Sequence, residues 1–338
     1  MSTFPEHDPL HPDAPAPIRE DELTPEEVLK AVHSLFPYSV PDPVAQEETS
    51  IQRRPRQMTA WADAEDSALS ERRPNVVDVL ILGLMALLGL LGSSLVVRWA
   101  IHDRLFGVTS MQKAFSDVHY TIGSMAVLYV ITFGAALIVF PLFWRQSLFA
   151  GMHWNAHAAM RRFKTLFGAA CICFLLAMAD EALLPGPANA PIDKLFDNRA
   201  AAWLLFAFGI TVAPFFEECI FRGFLLPAFC TAFDWSVERA AKLTPMPMDP
   251  EGHPQWSLGA MVFASIFTSI PFAWMHAEQT GYSLGPFVLL VAVSLVLSWA
   301  RLATRSLAAS VVVHGLYNFL LFFLMLVGTG GFRHMERM

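Results

Sequence analysis

Charge is scarce in this chain, and its absence leaves long apolar stretches. Only 16% of the 338 residues are charged, against 54% that are hydrophobic, and the mean hydropathy is +0.44. Several segments of about 18 to 25 residues are nearly free of charge, and each is long enough to cross a hydrocarbon layer about 30 Å thick. The pattern excludes an ordinary soluble domain and predicts an all-α, polytopic bundle of transmembrane helices.

Cysteine is also rare, and the first residues lack the basic and apolar segments of a cleavable signal peptide, so we expect none. The four cysteines all lie in apolar segments, at Cys171, Cys173, Cys219 and Cys230. We interpret them as small buried side chains and not as disulfide or metal sites. The net charge of -7 comes mostly from an acidic start and says little about partners. We expect no nucleic-acid partner.

Residues 1–74 form a hydrophilic, acidic and proline-rich leader, which we predict to be largely disordered and cytoplasmic. A short amphipathic helix is expected within it at residues 24–36, where Thr24 and Pro25 give a helix-start signal. Arginines cluster in the last part of the leader, ahead of the first apolar segment, which favours a cytoplasmic N-terminus. They are Arg53, Arg54, Arg56, Arg72 and Arg73.

The transmembrane domain is predicted at residues 75–330, with about seven spans. Their expected positions are residues 76–97, 120–144, 165–184, 200–230, 259–277, 285–300 and 307–327. The fourth is too long for one straight helix, and we expect a bend near Pro214. A complete break there would give eight spans and move the C-terminus to the other side of the membrane.

The fourth span carries three ionisable residues in apolar surroundings, Glu217, Glu218 and Arg222. Charges at membrane depth cost about 2.5 to 3.5 kcal/mol each, so they usually face a protein interior or a wet cavity and serve a function. Glu218 and Arg222 are four residues apart and can pair on a helix, whereas Glu217 points about 100° away. One glutamate is therefore neutralised and the other is left free to act as a general base.

Two later spans contribute further polar groups. His276 ends the fifth span, one helical turn after Phe272, which can hold its ring, while His314 and Asn318 share one face of the seventh. If the three spans meet, a carboxylate and an imidazole can take a proton from water, and a second imidazole and an amide can stabilise an oxyanion. This set of groups is suited to peptide-bond hydrolysis without a covalent intermediate.

Other clusters give weaker signals. Asp180 and Glu181 lie so near the end of the third span that we interpret them as interfacial. His153 and His157 have the spacing of a shared metal site, but no third ligand is evident nearby.

The sequence resembles the CAAX protease and bacteriocin-processing family (CPBP, or Abi), which includes the type II CAAX prenyl endopeptidases. The family pattern is Glu-Glu-x-x-x-Arg, then Phe-x-x-x-His, then His-x-x-x-Asn or Asp, on three helices. Here the three motifs occur in that order at residues 217–222, 272–276 and 314–318. The resemblance covers about residues 165–328, which we take as the protease core.

The resemblance implies an intramembrane glutamate endopeptidase with no cofactor and no metal. It implies that Glu217 and His276 activate water and that His314 and Asn318 form the oxyanion site, with Glu218 and Arg222 as a supporting pair. Two alternatives stay open. Glu217, His276 and His314 could be a zinc triad, although no His-Glu-x-x-His occurs, and the motifs could be the polar core of an inactive scaffold or immunity protein.

The implied substrate is a peptide or a membrane protein, held within the lipid bilayer. We expect an integral protein of the plasma (inner) membrane. Neither the prenylation of the substrate nor the oligomeric state follows from these residues.

Overall fold

The computed structural model describes residues 72–184, 191–196, 199–249 and 253–334, and within these ranges the chain forms helices and no β-strand. Seven helices are long and apolar enough to cross a membrane, which confirms the predicted bundle. They are Val76–His102 (α1), Val118–Trp144 (α2), Phe163–Leu183 (α3), Arg199–Ala241 (α4), Leu258–Met275 (α5), Leu284–Thr304 (α6) and Leu307–Gly328 (α7). Almost all of the predicted leader, including its helix at residues 24–36, lies outside the described residues.

Short helices occupy several of the connections. They are the 3-10 helices Leu105–Gly107 and Pro191–Phe196 and the α-helices Met111–Phe115, Leu148–Gly151 and Ala156–Arg161.

Four segments lie at the same end of the bundle. They are the start of α1, the end of α2, the end of α4 and the connection between α6 and α7. Asn75 caps α1, and the Asp78 carboxylate accepts a hydrogen bond of 3.0 Å from Trp144 Nε1 at the end of α2. Arg72 pairs with Glu238 of α4 at 3.0 Å, and the Leu307 amide donates to the His153 carbonyl at 3.1 Å. We call this end, where arginine and lysine residues are concentrated, the basic end.

Helix α4 is the central element of the bundle. Helices α1 and α2 pack together, α7 packs on α3 and α6, and α5 packs on α6 and on the last part of α4. Phe221 of α4 belongs to the apolar cluster formed by α3, α6 and α7, whereas Phe224 belongs to the cluster formed by α1 and α2. Side chains of α4 are therefore surrounded by the rest of the bundle.

Helix α4 does not break at Pro214. It continues for 43 residues, and two π-helical segments, Phe208–Val212 and Cys219–Leu225, flank the α-helical segment Ala213–Glu218. Because Pro214 has no N–H, the preceding turn cannot be completed in the usual way, and a wider turn accommodates the ring. The change in helical winding thus lies where the bend is predicted, and the seven-span count stands.

A close approach between α1 and α2 gives a stability prediction. A Cβ added to Gly89 would lie 2.6 Å from Thr132 Oγ1 and 2.9 Å from the Leu128 carbonyl oxygen, whereas one added to Gly83 would meet nothing within 4 Å. We expect Gly89→Ala to lower the free energy of unfolding by about 1 to 3 kcal/mol, because the helices must separate. Gly83→Ala should cause no loss. Thermal unfolding in detergent measures both, and equal effects would contradict the prediction.

Candidate active site

The two adjacent glutamates lie at the end of the α-helical segment between the two π segments of α4. Both are buried: Glu217 is 7% exposed and Glu218 is 0% exposed. Segments of π-helix are rare and are often found at functional sites, because the extra residue changes where side chains point. The composition of this stretch predicted its importance, but no residue pattern in it indicated the π winding.

Glu217 faces a histidine from each of two other helices. Its Oε2 atom lies 3.8 Å from Nε2 of His276, directly after the end of α5, and 3.8 Å from Nε2 of His314 on α7. These separations are longer than a direct hydrogen bond, but one water molecule can bridge such atoms. The structure therefore brings together three of the four predicted catalytic side chains.

The ring of His276 is held by its own helix. Its Nδ1 atom is 2.9 Å from the carbonyl oxygen of Phe272, and the two rings lie 5.0 Å apart. A carbonyl can only accept, so Nδ1 carries the proton. Nε2, which faces Glu217, is then the nitrogen available to accept one. The predicted contact of Phe272 with His276 is present.

The second glutamate positions the second histidine. The Glu218 Oε1 atom lies 2.9 Å from Nδ1 of His314 and accepts a hydrogen bond of 2.8 Å from Arg222 Nη1. The Glu218–Arg222 pair expected from the spacing thus exists, and it extends to His314. That extension could not be read from the spacing, since it depends on how α7 packs on α4.

Arg222 is fully buried and makes further contacts. Its Nη2 atom donates to the carbonyl oxygen of Ser294 at 2.8 Å and to the Ser294 hydroxyl at 2.7 Å. Its guanidinium also lies 4.7 Å from the centre of the Phe272 ring, at cation–π distance. Sequence reasoning missed Ser294, and the available signal was a serine inside the apolar run of α6.

Asn318, one turn beyond His314, is bonded to α4. Its Nδ2 atom donates to the Gly209 carbonyl oxygen at 2.8 Å. In this π segment the Ala213 amide bonds back to the Phe208 carbonyl, so the next donor, for Gly209, would be Pro214, which has no N–H. One N–H of the Asn318 side-chain amide donates to the Gly209 carbonyl in place of the missing backbone N–H. The second N–H of the same amide is available for another acceptor.

This contact predicts a stability loss for Asn318→Ala. Because the variant leaves the Gly209 carbonyl without its donor, we expect the free energy of unfolding to fall by about 1 to 3 kcal/mol. Asn318→Gln is the matched control that keeps the amide but displaces it. Thermal unfolding of both variants is the measurement, and an unchanged midpoint for Asn318→Ala would show that the bond is dispensable.

Neither suggested metal site gains support from the geometry. Among the described residues, no group of three or more His, Cys, Asp or Glu side chains could hold a metal ion. Within the described part of the chain, neither the zinc alternative nor the pair His153 and His157 has a complete set of metal ligands. Asp180 and Glu181 lie in the last turn of α3.

The family model described as "Type II CAAX prenyl endopeptidase Rce1-like" matches residues 199–320, which contain all three motifs. No curated protein and no solved structure matches the chain. The matched range runs from the start of α4 through Asn318 on α7. The segment that carries the site is therefore similar to the Rce1-like family of type II CAAX prenyl endopeptidases, which supports the resemblance drawn from the three motifs.

Proposed function

We propose that this integral membrane protein hydrolyses a peptide bond with a water molecule activated by Glu217 and His276. The observation that carries the proposal is the position of Glu217 Oε2, 3.8 Å from Nε2 of His276 and 3.8 Å from Nε2 of His314. The three side chains come from different helices, and their atoms face one another in a bundle whose membrane-spanning segments otherwise hold little charge. The family match supports a CAAX-type intramembrane protease.

The first step is proton removal from water. A water oxygen within hydrogen-bond distance of Glu217 Oε2 and His276 Nε2 gives its proton to the carboxylate as it attacks the substrate carbonyl carbon. The bond between carbonyl carbon and water oxygen forms, and the carbonyl oxygen takes the negative charge. Bond cleavage follows when the proton held by Glu217 passes to the departing amine nitrogen.

The oxyanion is stabilised by His314, with Asn318 as a second donor. For His314 to donate from Nε2 while Nδ1–H is bound to Glu218, both ring nitrogens must carry protons. A carboxylate faces each of the two nitrogens, Glu217 at Nε2 and Glu218 at Nδ1. The role of Asn318 rests on the family resemblance, and the N–H that is not bound to Gly209 is the one available for it. Donors fixed in this way need little reorganisation when the charge develops.

The orientation that we propose has the basic end in the cytoplasm. Arginine and lysine are concentrated there, and cytoplasmic connections of membrane proteins carry an excess of these residues. Those at or next to this end are Arg72, Arg73, Arg145, Arg161, Arg162, Lys164, Arg239, Lys242, Arg301 and Arg305. Since the number of spans is odd, the chain beyond α7 then lies on the opposite side.

The test is cleavage of a library of membrane peptides by the detergent-purified protein, with bound metal measured on the same sample. We expect defined products, and we expect a chelator to leave the rate unchanged. Cleavage that a chelator abolishes, with metal bound in a 1:1 ratio, would favour the zinc alternative. No cleavage of any peptide would favour the scaffold.

A further inference from the structure

A buried arginine outside the active site has no carboxylate partner among the described residues. Arg301, in the last turn of α6, is 2% exposed, and its Nε atom has no hydrogen-bond partner. Its Nη2 atom contacts the Met152 carbonyl oxygen at 3.4 Å and His153 Nδ1 at 3.1 Å. A buried charge lowers stability unless an opposite charge compensates it, so we expect an anion to bind near this guanidinium.

His153 connects Arg301 to a cavity. Burial and the neighbouring Arg301 lower the pKa of His153 to about 2, so its ring is neutral and Nδ1 accepts from Arg301. Nε2 then carries the proton and is a donor. The backbone of His153 has a φ of 55°, and its carbonyl is held by the Leu307 amide at 3.1 Å. The donor is thus fixed in place at the cavity wall.

The cavity itself has a volume of about 560 Å³ and lies at the basic end. Its cationic lining includes Arg161, Arg162 and Arg305, next to His153. Neutral groups able to donate hydrogen bonds complete the wall, at Gln146, Asn155 and Thr304.

The described residues place little negative charge around this cavity. The described lining contains neither Asp nor Glu. Asp249 lies beside it and forms an ion pair with Arg305 and a contact of 3.3 Å with His253. Three guanidiniums at the wall and a fourth behind His153 thus give the cavity a positive potential.

We propose that this cavity binds a phosphate-bearing anion, and we expect the headgroup of an anionic phospholipid to be its source. Planar guanidinium groups bind phosphate through paired N–H donors, which suits an array of arginines. The cavity is formed by the segment between the end of α2 and the start of α3 and by the end of α6, where the helices leave the membrane. Anionic headgroups are found at that level.

The cavity wall is bonded to the start of α7. Asn155 and Ser306 exchange two hydrogen bonds, with the Ser306 hydroxyl donating to the Asn155 carbonyl at 2.6 Å and accepting from the Asn155 amide at 3.3 Å. Arg162 donates to the Ala303 carbonyl at 3.2 Å. A bound anion would therefore fix the segment from which α7 extends to His314.

Binding can be measured without using hydrolysis, so its failure is distinguishable from failure of the proposed reaction. The full chain in detergent is titrated with short-chain phosphatidylglycerol, with short-chain phosphatidylcholine and with inorganic phosphate, while thermal unfolding is recorded. We expect phosphatidylglycerol to raise the midpoint in a saturable, salt-sensitive manner and phosphatidylcholine to have a much smaller effect. Stabilisation by inorganic phosphate alone would support the same site with a soluble anion as its source.

Charge removal locates the site. Arg161→Gln combined with Arg162→Gln should weaken binding at least tenfold, whereas Lys164→Gln, an exposed cation of the same end outside the lining, should change it less than twofold. Arg162 also donates to the Ala303 carbonyl, so the double variant could fail to fold. In that case Arg161→Gln alone, at an exposed residue, is the test variant, and its affinity for the anionic probe should fall threefold or more. Equal binding by the arginine variants and Lys164→Gln, or no preference for the anionic probes, would overturn the proposal.

Discussion

Glu217→Gln is expected to abolish peptide hydrolysis while the protein stays folded. The amide cannot take a proton from water, and removal of a general base lowers the rate by about 100-fold to 10,000-fold. The side chain keeps its shape, and Glu217 forms no direct hydrogen bond with either histidine, since both separations are 3.8 Å. The measurement is kcat on one cleaved peptide, with thermal unfolding of the same sample.

The matched control is Glu181→Gln, at an exposed carboxylate in the last turn of α3. It should leave both kcat and the unfolding midpoint unchanged. A Glu217→Gln protein that retains a tenth or more of the wild-type rate would exclude the proposed role of this carboxylate. A variant that unfolds as readily as it loses activity would instead favour the inactive-scaffold alternative.

Arg222→Ala is expected to produce the largest loss of stability. The side chain is fully buried, and its removal deprives the buried Glu218 carboxylate of its arginine partner and the Ser294 carbonyl of the hydrogen bond from Arg222. Breaking a buried ion pair from one side costs about 3 to 5 kcal/mol. The free energy of unfolding in mixed micelles measures this loss. Arg199→Ala, an exposed arginine at the start of the same helix, should change it by less than about 0.5 kcal/mol.

Replacing both partners separates stability from chemistry. In Glu218→Gln combined with Arg222→Met, neither member leaves an unpaired buried charge, so most of the stability should return. Activity should not return, because His314 loses the carboxylate that holds its Nδ1 atom at 2.9 Å. Recovery of both stability and activity would show that His314 does not need the negative charge of Glu218 beside its Nδ1 atom.

The fold was largely predictable because its signal is composition over long stretches. Apolar runs located all seven spans, although α4 proved to continue to Ala241 instead of ending near residue 230. Its last part is amphipathic, with charged residues such as Glu238 and Arg239, so hydropathy alone ended the span too early. The helix persists because Asp234 and Glu238 bind other parts of the basic end.

The candidate site was predictable as a set of side chains but not as a network. Spacing on one helix indicated the pairing of Glu218 with Arg222 and the contact of Phe272 with His276, because both are local. The links between helices had no such signal. The Glu218–His314 and Arg222–Ser294 bonds depend on the rotation of α6 and α7 about their axes, and the Asn318–Gly209 bond depends on the π winding.

The π segment Phe208–Val212 also bears on how the length of this helix can vary between related chains. A π turn holds one residue more than an α turn over nearly the same rise, so deletion of one residue there restores α-helix and leaves the following residues almost in place. The same deletion in Ala213–Glu218 would rotate every later side chain by about 100°. Relatives one residue shorter before Pro214 can therefore keep both glutamates in position, and the missing N–H of Pro214 still leaves one carbonyl of the preceding turn free to accept from an amide at position 318.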